Sequence, residues 1–141
     1  MQTFVYPARF TPQNEGGYLV SFRDVPEAIT QGESREQCIE EAGGALQAAM
    51  EGRIMSGLDI PKASSARRGE QMIPVPIQTA LKSALYLEMR NAGITRVELA
   101  HRLGVDEREV RRMLDPRHPS KADRLEKALF ALGRHPEVRV A

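Results

Sequence analysis

The chain has 141 residues, 41% of them hydrophobic and 28% charged, enough to bury a core in one or two small domains. Its single cysteine, Cys38, excludes a disulfide framework and a cysteine-bound zinc ribbon or finger. The formal net charge of +1 conceals a split: residues 1–76 carry 7 Lys and Arg against 10 Asp and Glu, a balance of −3, whereas residues 77–141 carry 13 against 9, a balance of +4.

An acidic N-terminal half suits a basic protein partner, and a basic C-terminal half suits phosphates. No apolar run is long enough for a bilayer and no charged-then-apolar leader precedes Q-T-F-V-Y-P-A-R-F, so a cytoplasmic protein with no membrane partner is expected.

The alternation of Phe4, Tyr6, Ala8 and Phe10 predicts a first strand, P-Q-N-E-G-G a turn, and Tyr18, Val20 and Phe22 a second strand closing a hairpin. A third short strand is expected over residues 28–33, after the D-V-P-E turn. Ser34 with Gln37 opens a helix whose apolar stripe is Ile39, Ala42, Leu46, Ala49 and Met50, running to Gly52 or Arg53. Gly43 and Gly44 interrupt it at a cost of roughly 1 kcal/mol each; close approach to the sheet and simple tolerance of a weak helix both remain open. Cys38 reads as a small core residue, because no histidine in the first hundred positions is available to activate it.

Residues 55–68 are poor in large apolar side chains and read as rim and linker. The run I-P-V-P-I at residues 73–77 alternates but holds two prolines, which limits it to an edge strand or an extended arm. The final P-E-V-R-V-A alternates as well. The two extended segments are expected to pair with each other or across a dimer, burying Ile73, Val75, Val138 and Val140 as dimerisation residues. The expected organisation is residues 1–65 as one domain, 66–76 as linker and extended arm, and 77–141 as an all-α domain with short flanking strands.

Four helices are expected in that last domain, over residues 79–91, 96–103, 107–114 and 121–132, with Leu81, Leu85 and Ala92 striping the first and Ala122, Leu125, Leu129 and Leu132 the last. Ser120 with Asp123 is the expected cap of the fourth, and the amides at its start, with Arg117, His118 and Lys121, form a candidate phosphate seat. His101, His118 and His135 are exposed by pattern, at spacings that match no metal site.

The middle pair is the most specific feature. Ala100 falls where two helices cross closely, Gly104 where a tight turn calls for positive φ, and Val110 where the second helix packs back on the first. Leu99, Leu103, Val105, Met113 and Leu114 complete a small core. Thr95 with Glu98 and Asp106 with Glu109 are capping-box pairs, backed by apolar staples Ile94/Leu99 and Val105/Val110. This is the spacing of a helix-turn-helix. An isolated charged helical face is ordinarily just solvated; here the turn, caps and flanking helices agree, and the outward Glu107, Arg108, Arg111 and Arg112 have the reach to contact major-groove base edges and phosphates. Thr95, Arg96, Arg117, Ser120 and Lys121 complete the candidate DNA-binding set.

The runs Y-P-A-R-F at residues 6–10 and G-G-Y-L-V-S-F-R-D-V-P-E-A-I-T-Q-G-E at residues 16–33, with the helix start S-R-E-Q-C-I-E-E-A, resemble the HicB family of bacterial antitoxins. The I-P-K-A-S-S segment resembles that family's I-P-x-P-S, though Lys62 and Ala63 depart from it. The resemblance covers nearly the whole chain, because one branch of the family continues into a C-terminal helix-turn-helix. It implies an α+β protein: a truncated ribonuclease H-like domain of sheet and helix, a linker, and an all-α domain. It also implies that the first domain covers the catalytic histidine of a small basic HicA-type ribonuclease toxin. The second would bind operator double-stranded DNA as a homodimer and repress its own operon, with further pairing of dimers left open. No cofactor is implied. Charge alone selects Asp24, Glu27, Glu33 and Glu40 as toxin contacts. An enzyme of the ribonuclease H kind needs clustered carboxylates beginning in the opening strand, and residues 3–10 hold no Asp or Glu. The competing reading is a stand-alone helix-turn-helix regulator with an N-terminal sensing domain.

Overall fold

The alternating segments form a meander of β1 (Val5–Pro12), β2 (Tyr18–Phe22) and β3 (Ile29–Gly32) in a computed structural model that describes all 141 residues. β1 and β2 pair antiparallel with Ala8 opposite Phe22 and Phe10 opposite Val20, and β2 pairs with β3 with Val20 opposite Thr30. Since strand side chains alternate between faces, Tyr6, Ala8, Val20 and Phe22 share one face and are fully or almost fully buried. They meet Cys38, Ala42, Leu46, Ala49 and Met50 of α1 (Arg35–Met55), which crosses that face.

Helix α1 starts as its sequence dictates: the Ser34 side chain accepts from the Gln37 amide at 3.1 Å, and Gln37 Oε1 accepts from the Glu33 amide at 2.9 Å. The Arg35 guanidinium then lies over the Phe10 ring, 4.9 Å from its centroid. Neither Gly43 nor Gly44 is required by contact, since a Cβ on Gly43 would come no nearer than 4.0 Å to the Pro74 carbonyl and one on Gly44 would meet open space. The close approach lies elsewhere. A Cβ on Gly32 would sit 2.9 Å from Cys38 Sγ, so β3 and α1 touch where the strand ends and the helix begins.

Within residues 66–76, the stretch read as linker leading to an edge strand or extended arm, an edge strand completes the sheet. β4 (Glu70–Pro74) pairs antiparallel with β1, Ile73 opposite Tyr6, giving the order β3-β2-β1-β4, and Val75 extends the ladder by donating to the Phe4 carbonyl at 2.8 Å. The prolines are tolerated because β4 is an edge. Ile73 and Val75 are 1% and 3% exposed within this unit, Ile73 beside Tyr6, while β4 leaves its outer edge unpaired. Val138 and Val140 join no strand and are 70% and 91% exposed.

The chain divides into two units, Met1–Ile77 and Gln78–Ala141. In the second, α2 (Ile77–Ala92), α3 (Arg96–Leu103), α4 (Glu107–Leu114) and α5 (Ala122–Ala131) enclose Leu85, Met89, Leu99, Ala100, Val110, Met113, Leu125, Ala128 and Leu129. α3 and α4 have the expected bounds. Ala92 and Ala122, counted in the apolar stripes, are exposed at the helix ends. No helix is long and apolar enough to cross a membrane.

Candidate functional site

The α3–α4 turn follows from one glycine. Gly104 has φ +66° and ψ +34°; its amide donates to the His101 carbonyl at 3.2 Å, and the Val105 amide donates to Ala100 at 3.0 Å. Those two bonds are the Schellman pattern, which needs a left-handed residue, and they turn the chain sharply into α4. Thr95 caps α3 by accepting from the Glu98 amide at 3.1 Å, and Asp106 caps α4 by accepting from the Arg108 amide at 2.8 Å. That amide, then the Arg108 side chain, holds the Asp106 carboxyl below the usual carboxylate range.

With Val110 and Met113 turned into the core, the opposite face of α4 presents Arg108, Arg111 and Arg112 to solvent. Arg111 pairs with Glu107 at 3.3 Å, Arg96 reaches the same carboxylate at 3.7 Å, and Arg108 pairs with Asp106 at 3.3 Å. Such surface pairs hold the guanidinium groups in place but contribute at most about 1 kcal/mol each, so a phosphate can replace the carboxylate. Arg117 and Lys121 are exposed on the segment after α4.

Ser120 departs from its expected role. α5 is capped at Lys121 with no side-chain bond, because the Ser120 hydroxyl accepts from Lys82 Nζ at 2.9 Å and its amide donates to Gln78 Oε1 at 2.6 Å. Sequence pattern does not single out Lys82. It is fully buried, and its ammonium also donates to the carbonyls of Arg112 and Asp115, both at 2.8 Å. Lys82 shares the buried side of α2 with Thr79 and Ser83 as well as Leu85 and Met89, so no break in an apolar stripe marks it in the sequence.

In the first unit the four selected acids separate into two kinds. Asp24 accepts from the Ser64 amide at 2.7 Å and hydroxyl at 2.8 Å, and Glu27 forms a two-pronged pair with Arg53, whose guanidinium also donates to the Asp59 carbonyl at 3.0 Å. Both fasten the 58–65 segment. Tyr6 does so too, donating to the Pro61 carbonyl at 2.7 Å, and burial pushes its hydroxyl up to about 12, Asp24 adding to the shift. Glu33 and Glu40 are exposed and available to a partner. A further acid, Glu70, is 2% exposed at its side chain and takes bonds from Arg23 at 2.9 and 3.0 Å and from the Arg67 amide at 2.7 Å. It borders a cleft of about 420 Å³ that also includes Arg9, Ser21 and Ile29. No three His, Cys, Asp or Glu side chains converge as a metal site.

These features define an α+β protein with an acidic unit, in which Asp24, Glu27 and Glu70 fasten its own loops, and a basic helical unit with an arginine-bearing surface helix. A family model described as the HicB-like antitoxin of bacterial toxin–antitoxin systems matches residues 5–84. The chain is 39% identical to antitoxin HicB 1 of Photorhabdus laumondii over 91% of its own length and 81% of that protein, and 38% identical to antitoxin HicB of Escherichia coli over 92% and 94%. It is 35% identical to antitoxin HicB 2 of Photorhabdus laumondii over 94% of both chains. The chain belongs to the HicB-like antitoxin family, and is a regulatory protein of a toxin–antitoxin system rather than an enzyme.

Proposed function

We propose that this antitoxin has two binding activities. Residues 1–65, completed by β4, inhibit a HicA-type mRNA-cleaving toxin, and the α3–α4 pair acts as a helix-turn-helix that binds operator DNA as a homodimer and represses its own operon. The observation that carries the DNA half is α4 itself: Val110 and Met113 are buried, and Arg108, Arg111 and Arg112 are exposed above a left-handed turn at Gly104. Thr95, Arg96, Glu107, Arg117, Ser120 and Lys121 frame that face, with Thr95 and Ser120 acting through their amide and hydroxyl bonds and Arg96 through Glu107. Dimer half-sites then lie about one DNA turn apart, roughly 34 Å.

The toxin half rests on charge and exposure. Glu33 and Glu40 meet the basic toxin, while the part-buried Asp24 and the exposed Glu27 hold the neighbouring loop in place. The meander with α1 across one face supports the truncated ribonuclease H-like reading of this domain. Both partners place the protein in the cytoplasm.

Gel-shift titration of the DNA upstream of the chain's own coding sequence tests the repressor half. Replacing Arg111 and Arg112 together with alanine should weaken binding and flatten the slope of log affinity against log salt by about 1 for each phosphate no longer neutralised. Unchanged affinity and slope would show that α4 is not the DNA-facing helix.

A further inference from the structure

Lys82 is the one fully buried charged side chain of the second unit, and its three acceptors span the last turn of α4, through Arg112 and Asp115, and the segment entering α5, through Ser120, adding to the bonds that the His118 and Arg117 amides donate to the Asp115 carbonyl and carboxylate at 3.1 and 3.0 Å. The carbonyls at a helix C-terminus lack partners within the helix, and a cation there also complements the helix dipole. Gln78, one turn earlier on α2, takes the Ser120 amide, so both sides of that residue are anchored to α2.

We propose that Lys82 is a positioning residue for the DNA-facing surface: its buried ammonium ties the C-terminus of α4 to residues 115–120, and so presents Arg111, Arg112 and Arg117 as one rigid set. The inference rests on the DNA-binding reading of α4 and names what holds that surface in register.

An ammonium has three donors for these three acceptors, whereas the neutral amine has two and a lone pair that can accept the Ser120 hydroxyl, so loss of the proton keeps the contacts but removes the charge that holds the carbonyls at the C-terminus of α4. Burial pushes its pKa down to about 8, with the Asp115 carboxylate pulling the other way. On the surrounding elements, Arg112, Arg117, His118, Lys121 and Asp123 are all exposed. Because the folded value lies below the free value of 10.5, raising the pH from about 8 relieves a buried charge and leaves the fold no less stable. DNA binding should move in the opposite direction. That opposition separates positioning from a purely structural role.

The test is affinity of the full chain for the duplex upstream of its coding sequence, measured from about pH 7 to 9.5 beside its urea midpoint, for the unsubstituted protein and for Lys82→Met. The unsubstituted chain should lose about tenfold in affinity across the range with no loss of stability, and Lys82→Met should already bind about tenfold more weakly at pH 7 and change little thereafter. The pH series on the unsubstituted chain stands even if Lys82→Met folds poorly. Affinity that is flat with pH, or that falls equally in Lys82→Met, overturns the inference while leaving the DNA reading in place. Absence of binding at every pH overturns both.

Discussion

Gly17 offers a test of how the first unit is held, because the glycine beside it is a control in the same turn. Gly17 has φ +72°, and a Cβ there would lie 2.5 Å from the Gly32 carbonyl oxygen and 3.3 Å from Glu33 Cα. Gly16 has φ +95° but open space around it. Both alanine substitutions incur the left-handed backbone penalty of about 1 kcal/mol. Gly17→Ala alone adds overlap with backbone that no rotamer change relieves, and overpacking of that kind adds about 2 kcal/mol. The expected costs are therefore about 3 kcal/mol for Gly17→Ala and about 1 kcal/mol for Gly16→Ala, a gap of roughly 8–16 °C in Tm for a unit of this size. Urea titration followed through the β1 and β2 amide resonances isolates the first unit from the second. The displaced atoms include Glu33, so Gly17→Ala should also weaken toxin binding where Gly16→Ala does not. Equal stability of the two variants, within about 0.5 kcal/mol, would refute the packing of the hairpin against the end of β3.

Acid should weaken the first unit through Glu70, whose carboxyl is held below the usual range chiefly by the Arg23 hydrogen bond and then by the Arg67 amide. Its contribution is present at neutral pH, above the ordinary value of 4.5, and is lost as pH falls through the lowered folded value; Glu70→Gln should reduce the urea midpoint at neutral pH and flatten its acid dependence. Leu99→Ala, at a fully buried position in the helical core, should cost about 3 kcal/mol in chemical denaturation. Asp106→Ala should cost about 1 kcal/mol through removal of the α4 cap, read by the same method. Ser120→Ala should leave the α5 amides as protected as before in hydrogen exchange and instead loosen those of Asp115 and its neighbours, since the hydroxyl serves Lys82 and not the helix start.

The second unit was legible where local chemistry decides structure. Thr95, Gly104 and Asp106 act within three or four residues of themselves, and α3 and α4 begin and end where those residues place them. The hairpin was legible for the same reason, with Tyr18–Phe22 bounded as its alternation implies. What escaped was settled by distant partners. Ile73 and Val75 read equally as edge strand or arm until Tyr6 and Phe4, about seventy residues earlier, supply the other half of a ladder. Asp24 looks like a free acid until Ser64 is brought to it, and Glu27 until Arg53 is. Ser120 satisfies the capping rule in sequence, yet Lys82 takes its hydroxyl, and nothing within one helical turn of Lys82 says that α4 ends above it.

Inhibition of RNA cleavage by a purified HicA-type ribonuclease toxin tests the central claim that one unit neutralises toxin while the other carries the DNA face. The full chain should abolish cleavage at about equal stoichiometry, and the chain with Arg111 and Arg112 both replaced by alanine should do so equally well. Glu33→Lys combined with Glu40→Lys should raise the amount required by about tenfold or more, because like charges then face a basic partner. Cleavage that continues at excess full-length chain, or inhibition that depends on Arg111 and Arg112 and not on Glu33 and Glu40, would contradict the account.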